Sequence, residues 1–485
     1  MSEQPNGAGS QRAGRSEDGT QPHDAEVPEV LMTYMGQGWL PAPDGSGVPT
    51  QRVAPYAAKR RALLSARFPG DVLVVPTGGL VVRANDTDYP FRAGSDYFWL
   101  VGDLEPDGVL VMTPEGEGHA ATVYVPARSD RASGKFFTDR RYGELWVGPR
   151  WGVDEVAKAY DVATADLETL PDVLAAHPGA RVRRGEDPRV EAMVADRTDE
   201  RDAELATALS ELRLCKDDLE VTYLEEACAA TATGFSECVR EIATAQQLAN
   251  GERWLEGTFW RRARVDGNDV GYGSIVACGD HATTLHWTRD DGPIRDGDLM
   301  LLDMGIESRN LYTADITRTL PVNGRFSPAQ RQVYEVVWKA QRAAIAATKP
   351  GADFLEPHRV AMRIITEALI SWGVIEGELE QVLKDQLHRR FTLHSTSHHL
   401  GIDVHDCAKA RNEFLRGGTL APGMVITIEP GLYFQRDDTF APEELRGIGV
   451  RIEDDVLVTD DSCRVLSDAL PTEAGEVEAW MRSLL

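Results

Sequence analysis

Hydrophobic and polar positions divide the chain into three stretches of different character. Residues 1 to about 30, beginning MSEQPNGAGSQRAGRSEDGTQPHDAE, are rich in Gly, Ser, Gln and acids and carry no apolar period, so disorder is expected there. From Tyr56 the pattern becomes globular. A basic helical start, AAKRRALLSARF, precedes the apolar strand DVLVVPTG, followed by SDYFWLVG, GVLVMTP and ATVYVPA and then by LWVGPRWGVDEVAKAY. Strands alternating with helical stretches predict an α/β domain of ordinary size.

A helix dense in charge, from Pro188 through Leu214, reads either as an interdomain connector or as the last helix of the first domain. A second helix is expected from Asp218 to Gln247. After Gly251 the pattern changes to short strands separated by Gly and Asp turns, interrupted by two helices. One begins at Ser327, with Pro328 at the first helical position and Gln330 completing a capping box. The other begins at Asp353, with Glu356 in the matching place, and ends near Gly373. Helices grouped beside an irregular antiparallel sheet predict an α+β arrangement rather than a doubly wound one. The expected division is a disordered tail over 1–45, an α/β domain with its connector helix over 46–213, and an α+β domain over 214–485.

Bulk numbers narrow the class. At 485 residues the chain exceeds a single core, in keeping with two or three domains. A formal net charge of −27 excludes nucleic acid and anionic membrane as main partners, since binding to either relies on Lys and Arg neutralising phosphate. No apolar run has the length to span a bilayer, and the first residues lack the apolar core of a signal peptide. Six cysteines without a CxxC pair or regular spacing read as reduced thiols, which places the protein in the cytoplasm.

Five residues then stand out in order: Asp303 in LLDMG, Asp315 in YTADITRT, His398 in HSTSHHLGIDVHD, Glu429 in TIEPGLY and Glu453 in GVRIEDD. Each alone has an ordinary reading. A carboxylate closing the apolar run LMLLD is commonly a cap or turn residue. Asp315 is twelve positions further on, across an expected hairpin that can bring both acids to one point. His398 sits among His394, His399 and His405, and a cluster is harder to dismiss than a lone histidine. The spacing of His394 and His398 imitates HExxH, but Ser395 stands where that motif needs glutamate, which excludes the class. Glu429 ends a strand that looks buried, where an unpaired charge is costly. Arg451 and Glu453 are two apart on one face, either a surface pair or a ligand carboxylate oriented by a cation. Taken together, four carboxylates and an imidazole form a hard, oxygen-rich set that suits Mn²⁺, Mg²⁺ or Co²⁺ better than a thiolate-bound zinc site would. Four acids brought to one place repel strongly unless cations hold them.

This series of motifs closely resembles the pita-bread metallopeptidases, specifically their Xaa-Pro aminopeptidase (aminopeptidase P) branch, over about residues 215–470. The segment SDYFWLVGDLEPDGVLVM resembles that branch's non-catalytic N-terminal domain. The resemblance implies a curved antiparallel sheet and a dinuclear site, usually with two Mn²⁺ ions. Asp315 and Glu453 would bridge both ions, Asp303 would bind one through both oxygens, and His398 and Glu429 would complete the other. A bridging hydroxide is the family's nucleophile, as metal coordination lowers the pKa of water. His286, in TTLHWT, matches a family histidine near the substrate; His394 and His405 match histidines that stabilise the tetrahedral intermediate; Arg451 matches an arginine beside the metals. Two departures are visible: one residue more than usual between Asp303 and Asp315, and His399 in place of an aromatic residue.

The implied reaction is removal of the N-terminal residue from peptides with proline second, a bond that defeats ordinary aminopeptidases because proline's nitrogen carries no N–H. An Xaa-Pro dipeptidase on the same scaffold would clamp the free carboxylate of a dipeptide, with Arg411 or Arg416 as candidates. A methionine-removing relative would lack the large N-terminal domain. A non-catalytic peptide-binding relative would have lost ligands, and all five are present. The implied partners are proline-containing peptides and further copies of the chain, as a dimer or tetramer.

Overall fold

The computed structural model describes residues 27–40, 47–85, 87–129, 131, 134–194 and 200–485. The expected tail falls mostly outside them, at 1–26 and 41–46; within its span Glu29–Met35 form a short helix that buries none of its residues. The chain separates into two compact units, Met1–Ala208 and Leu209–Leu485.

The first unit is built on a five-stranded sheet in the order Ala163–Asp166, Gly118–Val125, Val109–Glu115, Leu73–Pro76, Arg181–Val182. The three central strands pair antiparallel and the two outer ones parallel to their neighbours, giving the mixed α/β layer expected from the alternation. One apolar segment departs from the strand reading: Ser95–Val101 is a helix. All of its residues except Ser95 are buried, so no amphipathic period distinguishes it from a buried strand.

The continuous helix expected from Pro188 to Leu214 is not observed. Pro188–Met193 forms one helix, started by Asp187, whose side chain accepts the Arg189 N–H; Val194 is extended and ends it. Glu200–Arg213 forms another.

Every strand pair of the second unit is antiparallel among the described residues. Ile275–Cys278, Leu299–Met304 and Ile316–Pro321 make one three-stranded sheet, and Val425–Ile428, Asp454–Val458 and Cys463–Val465 another. A bridge between Thr317 and Glu453 joins the strand systems. Helix Asp218–Arg240 starts at a capping box of Asp217 and Glu220, and Pro328–Ala347 at the expected box of Ser327 and Gln330. The next helix starts at Glu356, later than expected, because Asp353 spends its carboxylate on the Leu355 N–H one turn earlier.

One helix was hidden in the strand-rich reading. Gly251–Asp266 buries Leu255, Phe259 and Ala263 at intervals of four, the spacing of one helical face. Its remaining Arg, Trp and Glu residues mask that period. All six cysteines are unpaired, and Cys407 is buried as a small packed residue.

Candidate metal centre

Strand pairing sets the first two carboxylates. Leu299–Met304 and Ile316–Pro321 pair with Met304 opposite Ile316, so Asp303 sits near the end of its strand and Asp315 immediately before the other. Gly305 is required at the connection: a Cβ there would stand 1.7 Å from the Ala314 carbonyl oxygen. The intervening turn closes with Ser308 donating to the Tyr312 carbonyl at 2.8 Å, and Leu311 takes a left-handed φ of 63°. The long spacing is absorbed there.

Glu429 follows directly on Val425–Ile428, and the His398 segment is fastened along that strand. Thr427 N–H donates to the His398 carbonyl at 3.0 Å, and His398 N–H donates to Thr427 Oγ1 at 3.1 Å. Glu453 is fixed from the facing strand, its Oε2 accepting the Thr317 hydroxyl at 2.6 Å.

Asp315, His398 and Glu453 converge, with one ligand atom from each within 4.8 Å of the others, a group able to hold a metal ion. His398 Nε2 stands 3.3 Å from Asp315 Oδ2 and 3.8 Å from Glu429 Oε1. Its Nδ1–H donates to the His399 carbonyl at 3.1 Å, which fixes the tautomer and turns Nε2 toward the acids. Asp303 Oδ1 and Asp315 Oδ1 lie 2.7 and 2.6 Å from the Tyr272 hydroxyl, and Asp303 Oδ2 accepts from Arg451 Nη2 at 2.6 Å. A cavity of about 590 Å³ is lined by these five residues and also by His286, His394, His405 and Arg451, so the structure brings together all nine positions singled out in the sequence.

Electrostatics agree with a cation site. Burial, with the Asp303 charge, pushes Asp315 up to about 6 against the opposing hydrogen bond from His398. Burial and then the charges of Asp315, Glu429 and Asp303 hold Glu453 well above the usual carboxylate range. Burial works against the His398 imidazolium, but the Asp315 hydrogen bond and the Glu429 charge outweigh it and push it up to about 9. The cluster therefore retains protons that a bound cation would displace. One hydroxyl proton on Tyr272 cannot serve both Asp303 and Asp315, a further sign of excess negative charge. The donor set is oxygen-rich and fits hard divalent cations.

Three neighbours of the site were missed in the sequence. Tyr272 lies in a turn between Gly271 and Gly273 with no local period to mark it. Tyr433 was legible, since Glu429, Gly431 and Tyr433 alternate along one line. Its hydroxyl accepts from Arg451 Nη1 at 2.9 Å and meets His394 Nε2 at 2.8 Å. Thr317 could be found only from the register that sets it opposite Asp303. His399 is buried and stacks on Phe354 with centroids 5.1 Å apart; burial first, with the nearby Lys216 charge, depresses it to about 3, so it packs as a neutral aromatic ring. Arg411 is held by Glu211 at 2.7 Å, whereas Arg416 lines the cavity.

Comparison with known proteins agrees at the level of sequence and fold. The chain matches the description "Metallopeptidase family M24" over residues 222–460 and "Aminopeptidase P, N-terminal domain" over residues 56–181. It is 52% identical over 460 residues to Xaa-Pro aminopeptidase 1 of Streptomyces coelicolor, covering 94% of this chain and 93% of that one. To Xaa-Pro aminopeptidase of Escherichia coli it is 31% identical over 443 residues, 88% of this chain and 97% of that one. Among solved structures, aminopeptidase PepP of Pseudomonas aeruginosa superposes with a TM-score of 0.77 at 30% identity, covering 90% of this chain and 99% of that one. Zinc-substituted E. coli aminopeptidase P in complex with product gives a TM-score of 0.76 at 28% identity, over 90% and 100% of the two chains.

Proposed function

The chain belongs to metallopeptidase family M24, with the pita-bread fold and N-terminal domain of its Xaa-Pro aminopeptidases, and on that premise we propose that Asp303, Asp315, His398, Glu429 and Glu453 hold two Mn²⁺ ions for hydrolysis of Xaa-Pro peptides. The observation that carries this reading is the convergence of Asp315, His398 and Glu453 on one point, with Asp303 and Glu429 at the same cavity. Asp315 and Glu453, which face each other from two strand systems, would be among the residues that hold both ions. Bound ions would supply an activated water for attack on the scissile carbonyl and neutralise the acids.

The chain's own residues orient and protect that chemistry. Arg451 keeps Asp303 in place and stays charged, because Tyr433, Asp303 and Glu453 raise its pKa well above normal against the pull of burial. His405 stands edge-on to His398 with centroids 4.4 Å apart; burial lowers its pKa and favours a neutral ring that donates one N–H. His394 Nδ1–H donates to the Ser395 carbonyl at 2.8 Å, which leaves Nε2 to accept from Tyr433. His286, His394 and His405 line the cavity, which supports a reading in which they contact the peptide and meet the charge that develops on its carbonyl oxygen.

The hard donor set supports Mn²⁺ over zinc. Free thiols support a cytoplasmic location, the acidic surface supports peptides rather than nucleic acid, and no described helix is long and apolar enough to cross a membrane. Exposed Val30, Tyr34, Leu145 and Trp146 in the first unit support self-association as a dimer or tetramer. Turnover of Xaa-Pro-Xaa peptides against Xaa-Pro dipeptides, in protein fully loaded with Mn²⁺, tests the reading. Cleavage of the longer peptides is expected, and cleavage of dipeptides alone would replace it with the dipeptidase.

A further inference from the structure

His286 is exposed at the cavity on a loop between Cys278 and Gly292, and no side-chain hydrogen bond holds its ring among the described residues. A histidine meant to meet a substrate needs its backbone held instead. The fastening lies on another element. Glu252, fully buried on helix Gly251–Asp266, collects four donors from that loop. Its Oε1 accepts from Cys278 N–H at 2.8 Å and from His281 Nδ1 at 2.7 Å. Its Oε2 accepts from Trp287 Nε1–H at 3.0 Å and from Gly292 N–H at 2.7 Å, while the Glu252 N–H donates to the Gly292 carbonyl at 3.1 Å.

The packing is as close as the bonding. The His281 ring stacks on Trp287 with centroids 3.7 Å apart, and the Arg289 guanidinium lies 4.2 Å from the same indole ring. A Cβ on Gly292 would come within 2.5 Å of the His281 ring and 2.8 Å of Glu252. One carboxylate thus ties the start of the loop, its middle and its end, and its middle anchor, Trp287, is the residue next to His286.

We propose that Glu252 is a positioning residue for catalysis: through Trp287, His281 and Gly292 it fixes the loop that presents His286 to the peptide. The proposal rests on His286 facing the substrate, as in the function proposed above. It also identifies the role of a buried acid that holds no metal and touches no substrate.

The test is a double-mutant cycle on metal-loaded protein. Glu252→Gln keeps the shape but sets an NH₂ group among N–H donors; Trp287→Phe keeps the ring and removes one donor. Each is expected to leave the metal content of the wild type and to lower kcat/KM, with Glu252→Gln losing about ten-fold. In a His286→Ala background the same changes should cost less than about two-fold more, because they act through His286. Equal losses in both backgrounds, or wild-type kcat/KM in Glu252→Gln and Trp287→Phe while His286→Ala is impaired, would overturn the positioning role alone. Wild-type activity in His286→Ala would instead overturn the assignment of His286, and the positioning role with it. Should Glu252→Gln fail to fold, Trp287→Phe decides by the same criteria.

Discussion

Arg451 Nη2 donates to Asp303 Oδ2 across 2.6 Å, and both side chains are buried at the cavity. The same guanidinium reaches the Tyr433 hydroxyl and Thr317 Oγ1, so it compensates negative charge and orients the residues around it. Removing one partner of a buried pair leaves the other charge uncompensated, a loss of about 3–5 kcal/mol. Arg451→Met should therefore destabilise the protein by that order when metal has been chelated. The loss should be smaller when cations are present to compensate Asp303. Thermal melts with and without chelator measure the difference, and an equal loss in both would contradict the compensating role.

Metal uptake should release protons. His398 is pushed up to about 9, so its imidazole is protonated in metal-free protein below that pH, and Asp315 at about 6 begins to protonate as pH falls toward 6. Both must be deprotonated to bind a cation. At pH 7 calorimetry in buffers of different ionisation enthalpy should show net proton release on Mn²⁺ binding, and affinity should weaken as pH falls below about 9 and more steeply below about 6. Binding without proton release would show that the acids and His398 are not the ligands.

Asp290 offers a separate pH effect, away from the metal cluster. It is fully buried at a left-handed φ of 48°, with Oδ1 accepting the Val276 N–H at 2.9 Å. Burial, with the Glu256 and Glu252 charges, pushes it up to about 8 despite that hydrogen bond. The fold therefore favours the neutral acid. Its contribution is full below the ordinary carboxylate range and is lost as pH rises toward 8. Asp290→Asn keeps the acceptor, suits the left-handed backbone and carries no charge. It should stabilise the protein by about 1–3 kcal/mol at pH 8 and have little effect near pH 4. Urea titrations at the two pH values check this, and equal stabilisation at both would refute it.

Gly305 tests the scaffold beneath the acids. A Cβ 1.7 Å from the Ala314 carbonyl oxygen cannot be accommodated by side-chain movement, because the obstacle is backbone. Gly305→Ala should cost about 3 kcal/mol and lower metal content by displacing Asp315. Full metal content in a stable variant would show that the connection is more pliable than its geometry implies.

What the sequence revealed of this molecule followed from where its signals were local. The capping box at Ser327 and the ends of apolar strands at Asp303 and Glu429 are short-range patterns, and the hairpin pairing of Leu299–Met304 with Ile316–Pro321 follows from them. Ser95–Val101 was hidden because a helix buried on nearly every side carries no amphipathic period. The Gly251–Asp266 helix was obscured because its buried stripe is narrow and interrupted by charge. One member of that stripe is Glu252, an acid whose purpose appears only when residues 26 to 40 positions away fold onto it. Tyr272 is equally invisible in sequence, since its meaning lies in reaching Asp303 and Asp315 from another strand system.

The central claim is that the five residues form the metal site that runs the reaction. Elemental analysis of Mn²⁺-reconstituted wild type and Glu429→Ala, each assayed in parallel on an Xaa-Pro-Xaa peptide, tests it most directly. Two ions per wild-type chain, with metal and turnover lost together in the variant, is the result expected here. A Glu429→Ala protein that keeps both full metal content and wild-type turnover would contradict it.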